Sequence, residues 1–104
     1  FLSIKIVFLL IMGLLPKKIA DQIPPSMAQE GMGDESIVYV KFFNPILNWT
    51  WYVTEYDPAD EIFFGLVKGI ETEWGYFSLF ELKQAKATMR DISFSPTRLR
   101  DITL

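Results

Sequence analysis

A chain of 104 residues, half of them apolar and 22% charged, supports one domain with one real core. Ten Lys and Arg against thirteen Asp and Glu give a formal charge of −3, so no global positive field draws in a nucleic-acid backbone. The absence of cysteine excludes disulfides and thiolate chemistry, and the absence of histidine excludes imidazole bases and ligands. Any catalysis would fall to carboxylates, Lys, Tyr or backbone groups, and no cofactor is expected.

Residues 1–11, FLSIKIVFLLI, are almost continuously apolar with the single charge of Lys5. The apolar run through Leu15 is short for a membrane span, which needs about 20 residues, and it lacks a basic leader and a small-residue cleavage site. We read 1–11 as an apolar extension, either upstream of a start at Met12 or, if it belongs to the protein, an extra strand or an exposed apolar liability, and 12–104 as a single α+β domain. Membrane partnership is expected only if residues 1–15 are a genuine anchor.

Leu15, Ile19 and Ile23 recur at steps of four and predict a helix over 14–25, with Pro16 in its first turn and Pro24-Pro25 ending it. Ser26 to Ser36 has two glycines and no periodicity, which reads as an ordinary surface loop. Its Gly31-x-Gly33 has neither a strand before it nor a helix after it, so no phosphate loop is inferred.

Ile37 to Phe43 alternates as a strand, with Val38, Val40 and Phe42 on one face, and Asn44-Pro45 supplies the turn. Asn48 to Tyr56 alternates more clearly. Trp49, Trp51 and Val53 form a core row, while Thr50, Tyr52, Thr54 and Tyr56 form a Thr/Tyr surface row. Asn48-Trp49-Thr50 also matches a glycosylation acceptor, which matters only in a secreted eukaryotic protein.

Asp57-Pro58-Ala59-Asp60 is a hairpin turn. Ile62 to Lys68 is apolar on both rows and reads as a central strand, with Ile62, Phe64 and Leu66 as core and Gly65 making room for a ring or a bulge. A turn over 69–73 leads to a short strand over 74–77. Ser78 with Glu81 then forms a capping box, with Phe77 and Leu82 as its hydrophobic staple, opening a helix to about Met89 whose inner stripe is Leu79, Leu82, Ala85 and Met89. Phe80 falls off that stripe. Asp91 to Ser95 is expected to be a closing strand with Ile92 and Phe94 inward, and Thr97 to Ile102 a solvated terminal turn. The predicted fold is therefore an N-terminal helix, a mainly antiparallel sheet of about four to five strands, and one capped helix in the C-terminal half.

In their order along the chain, YVKFF, NWTWYVTEYDP, FFGLVKG, GYFSLFEL and RDISFSP resemble a bacterial, plasmid and phage family, the domain of unknown function DUF2958, from Leu14 to Ile102. The resemblance implies a small cytoplasmic α+β protein, frequently encoded on mobile elements, with no catalytic residues to carry over. It also implies a longer connection after the helix than this chain has, since here Ala85 to Met89 leads directly into Arg90-Asp91.

Three functions follow as expectations. The first is a non-catalytic interaction module, contacting an unknown protein partner or a second copy of itself through Thr50, Tyr52, Thr54 and Tyr56 with Tyr76 and Phe80, because Tyr and Trp supply contact area with a polar handle. The second is single-stranded nucleic-acid binding by stacking rings, which the acidic balance and the scattered Lys41, Lys68, Lys83, Lys86 and Arg90 disfavour. The third is a carboxylate-based hydrolase or cation site using Glu55, Asp57, Asp60 and Glu61, a set that equally describes a solvated hairpin tip.

Overall fold

The computed structural model describes residues 13–104 together with Ile4. The rest of the 1–11 extension lies outside the described residues. Alternating β-branched and aromatic residues form five strands, β2 (Val40–Asn44), β3 (Trp49–Asp57), β4 (Ile62–Lys68), β5 (Thr72–Ser78) and β6 (Met89–Arg90), in one antiparallel sheet of spatial order β5-β4-β3-β2-β6. A second, two-stranded ribbon pairs β1 (Ile37–Val38) with β7 (Thr97–Arg98). Among residues 13–104 the α-helices are α1 (Lys17–Ala20) and α2 (Leu79–Gln84). The fold is α+β, as expected, and β4 lies between β3 and β5.

Two irregularities decide which residues face where. Tyr39 N donates to Val53 O at 2.8 Å while Val40 also pairs with Val53, so two residues oppose one. Across the sheet, Val53 pairs with Gly65 and Glu55 with Phe64, which leaves Thr54 as an extra residue in β3. Past that bulge the alternation inverts. Tyr56 joins the row of Trp51 and Val53, and Glu55 turns to the opposite face.

The first face carries the larger core, with Val40, Phe42, Trp51, Val53, Tyr56, Phe63 and Phe77 under Leu79 and Leu82 of α2 and Ile23 of the N-terminal segment. Phe63 is fully buried here, with Tyr56 stacked on it at 4.6 Å between centroids. The deepest residue of β4 thus comes from the row opposite the expected Ile62, Phe64 and Leu66. Leu66 is buried, but Ile62 is exposed and Phe64 half-buried. The second face carries a smaller cluster of Val38, Tyr52, Leu66 and Leu99. Two cores replace the single apolar row expected from Val38, Val40 and Phe42.

The helices are shorter than their patterns predict. In place of a helix over 14–25 there is one turn after Pro16, followed by three-residue turns that place Ile23 in the core. Pro24 O then accepts from Tyr56 N at 2.9 Å, so docking against β3 replaces further helix. The capping box forms as expected, with Ser78 Oγ accepting from Glu81 N at 3.0 Å and Ser78 N donating to Glu81 Oε1 at 3.3 Å. Yet α2 stops at Gln84, and Met89 lies in β6 opposite Phe43. The cause is Asn44, fully buried, whose Nδ2 donates to Lys86 O at 2.8 Å and Thr88 Oγ1 at 3.1 Å and draws the chain through Ala87 at φ 72°.

Ser78→Ala is expected to lower unfolding free energy by about 1 kcal/mol through the lost cap. Urea denaturation checks this, and an unchanged midpoint would contradict the cap's role.

The expected closing strand over 91–95 is a turn instead, in which Asp91 Oδ1 accepts from Ser93 N at 3.0 Å. Beyond it, the segment expected to be solvated charge packs on the second face. Leu99 is buried with its N–H donating to Ser36 O, and Glu35 pairs with Arg98 at 3.0 Å and Arg100 at 2.7 Å. Among the described residues, no helix is long and apolar enough to cross a membrane.

Candidate functional site

The loop from Ser26 to Ser36 is held to the second face by two side chains. Glu55, carried there by the bulge and 5% exposed, accepts from Met27 N at 2.7 Å and Gln29 N at 2.9 Å. A buried carboxylate needs such partners, and charge-assisted bonds to N–H groups offset its lost hydration. Gln29 acts as a substitute rung of sheet. Its Oε1 accepts from Ile37 N at 2.6 Å, and its Nε2 donates to Ile37 O and Thr54 O, each at 2.8 Å.

This latch stands the loop away from the outer strands and leaves a groove of about 410 Å³. Small-ligand sites span about 300–1,000 Å³. One wall is Met27, Gln29, Glu30, Gly31 and Gly33, the floor is Ser36 and Thr54, and the other wall is Phe64, Trp74 and Tyr76. Phe64 stacks on Trp74 with centroids 5.7 Å apart and planes 10° apart, and meets Tyr76 at 4.9 Å. Trp74 is 39% exposed and Tyr76 72%. No Lys or Arg lines the groove.

The residues expected to bind are divided by the fold. Tyr76 stands on the groove's open wall and Thr54 in its floor. Tyr52 and Tyr56 do not form a surface, being 4% and 5% exposed in separate cores, and Thr50 is half-buried. The physical reasons are the second layer over Tyr52 and the bulge that turns Tyr56 inward. Phe80 is 69% exposed on α2, away from the groove lining. Trp74, Phe64 and the loop wall were not expected at the site. One signal did exist in TEWGYFS, where Trp74 and Tyr76 share a row while Glu73 and Gly75 occupy the other.

Burial raises the phenol pKa of Tyr52 above its usual value, and burial followed by the nearby Glu61 and Asp57 carboxylates raises that of Tyr56. A phenol whose folded pKa exceeds its unfolded value, about 10, stabilises the fold fully below that value. The contribution is lost as pH rises through the folded pKa. Melting temperature is therefore expected to fall above about pH 10, and less steeply in Tyr56→Phe. Identical alkaline slopes for Tyr56→Phe and wild type would contradict this.

The four carboxylates are not brought together. Glu55 is committed to the loop, Asp57 Oδ1 accepts from Ala59 N at 3.0 Å within the turn, and Asp60 and Glu61 are exposed. Among the described residues no group of three or more acidic side chains could hold a metal ion.

Comparison with curated proteins and with solved structures gave no match. A family model described as "Protein of unknown function (DUF2958)" matches residues 14–101, which take in the latch, both cores and the whole groove. With that match spanning most of its length, the chain belongs to the DUF2958 family.

Proposed function

We propose that this protein is a non-catalytic interaction module that holds a segment of a protein partner in the groove between the latched loop and the β4–β5 rings. The cytoplasm of a bacterium, and the mobile elements on which the resembling family is frequently encoded, are the setting this reading assumes. The observation that carries it is the exposure of Trp74 and Tyr76 beside a preformed groove, while Tyr52, Tyr56 and Glu55 are consumed by packing and hydrogen bonds. Rings beside a groove are the usual anchors of recognition, where a few side chains carry most of the binding energy.

The absence of Lys and Arg from the lining argues against a strand of nucleic acid. Fluorescent single-stranded DNA is expected not to bind at micromolar protein and low salt, and binding there would favour the nucleic-acid reading instead. The direct test is capture from host lysate by wild type and by a Trp74→Ala, Tyr76→Ala double variant. Loss of a specific captured protein by the folded double variant supports the proposal. Retention of every captured protein would sink it.

A further inference from the structure

The strand β5 has β4 on one side, and among the described residues no strand pairs with its other side. The opposite edge of the sheet, β6, is two residues long and carries the buried Arg90. In contrast, β5 runs for seven residues, TEWGYFS, without a proline, a lysine or a register shift. An open edge of that kind, blunted only by the single charge of Glu73, is a template for another strand. The question is which strand fits.

We propose that β5 pairs antiparallel with β5 of a second copy of this chain about a two-fold axis through Gly75. Gly75 is the midpoint of Thr72–Ser78, so this register pairs all seven residues, whereas a shift of the axis by one residue pairs five. Opposite residues of an antiparallel pair share a face, so the axis must keep each row with its own kind. In the Gly75 register Trp74 lies opposite the partner's Tyr76, and Glu73 lies opposite the partner's Phe77 rather than another acid. Cross-strand aromatic pairs stabilise a sheet, and like charges directly opposed destabilise it. Both favourable conditions are met. Gly75 opposite its own copy adds no side-chain crowding on the face it shares at the axis, where a Cβ built on it meets nothing within 4 Å.

The product is one continuous ten-stranded sheet whose two aromatic walls lie on the same face. The inference goes beyond the proposed groove function and does not require the groove to be occupied, because it rests on the edge.

The chain has no cysteine, so a single introduced thiol reports on one position. Under mild oxidation Gly75→Cys is expected to convert mostly to a covalent dimer. Ile70→Cys, 95% exposed in the turn beyond β5, is expected to remain mostly uncrosslinked, because the register separates the two copies of that turn. Light scattering of the wild type should show the mass rising from 12.0 kDa towards twice that value with concentration. Gly75→Asp, which sets two carboxylates face to face at the axis, should stay monomeric and folded at every concentration. Gly75 does not line the groove, so that variant keeps wild-type capture of a groove partner if the groove function is correct. Equal crosslinking of both cysteine variants, or a wild type monomeric throughout the millimolar range, would overturn the pairing.

Discussion

Gly65→Ala is expected to cost about 3 kcal/mol or more, a large part of the 5–15 kcal/mol that holds a domain of this kind together. A Cβ at Gly65 would sit on the backbone carbonyl of Tyr52 and crowd Val53 Cα at 3.1 Å. Backbone in a paired strand cannot rotate away as the end of a side chain can. Relief would require opening the β3–β4 ladder beside the bulge, where Phe63 and Tyr56 pack. The measurement is the urea midpoint with Gly75→Ala as companion, since that position has open space around it and should change stability by no more than about 0.5 kcal/mol. Similar midpoints for the two variants would contradict the tight approach at Gly65.

Glu55→Ala carries the second large effect, about 2–3 kcal/mol, because it strips the acceptor from the N–H groups of Met27 and Gln29. The loss should be local as well as global. Met27, held at φ 71°, has no other anchor for its amide among the described residues, so its hydrogen exchange should speed up before that of β3. The groove should suffer too, since the loop forms one of its walls. Asp60→Ala, at an exposed position of the same hairpin, serves as the control and should fall within about 0.5 kcal/mol of wild type. Equal effects at the two acids would contradict the latch.

Where the physics is local, the chain states its own structure. Ser78 and Glu81 sit three apart before an apolar run, and the capping box forms from those two residues alone. The row of Ile62 to Lys68 is apolar on both sides, and β4 does lie inside the sheet. Gly65 was expected to make room for a ring or a bulge, and the bulge at Thr54 lies opposite it. The ring that needs a glycine belongs to Trp49, whose Cε2 lies 2.6 Å from where a Cβ of Gly69 would be.

Long-range events were not legible. The length of α2 depends on Asn44, which reads from the sequence only as a turn former, capturing Lys86 O 42 residues further along the chain. The alternation of NWTWYVTEY continues through Tyr56 on paper, but a single extra residue in β3 reverses it, and nothing within the stretch marks Thr54 as that residue. The loop over 26–36 has the composition of free surface. Its order comes from Glu55, which reaches across to it from β3, and from its own Gln29, which reaches back to Thr54, and no local pattern connects these positions. The candidate site was therefore half visible, through Tyr76 and Thr54, while its loop wall and Trp74 depended on contacts between distant segments.

The aromatic surface open to solvent is that of Tyr76 and not that of Tyr52 and Tyr56, and the reactivity of the tyrosines in the native protein reads this directly. Limited nitration followed by mass spectrometry should modify Tyr76 first and leave Tyr52 and Tyr56 protected until the protein is denatured. Modification of Tyr52 and Tyr56 ahead of Tyr76 under native conditions would contradict the account and restore the Thr/Tyr row of β3 as the exposed face.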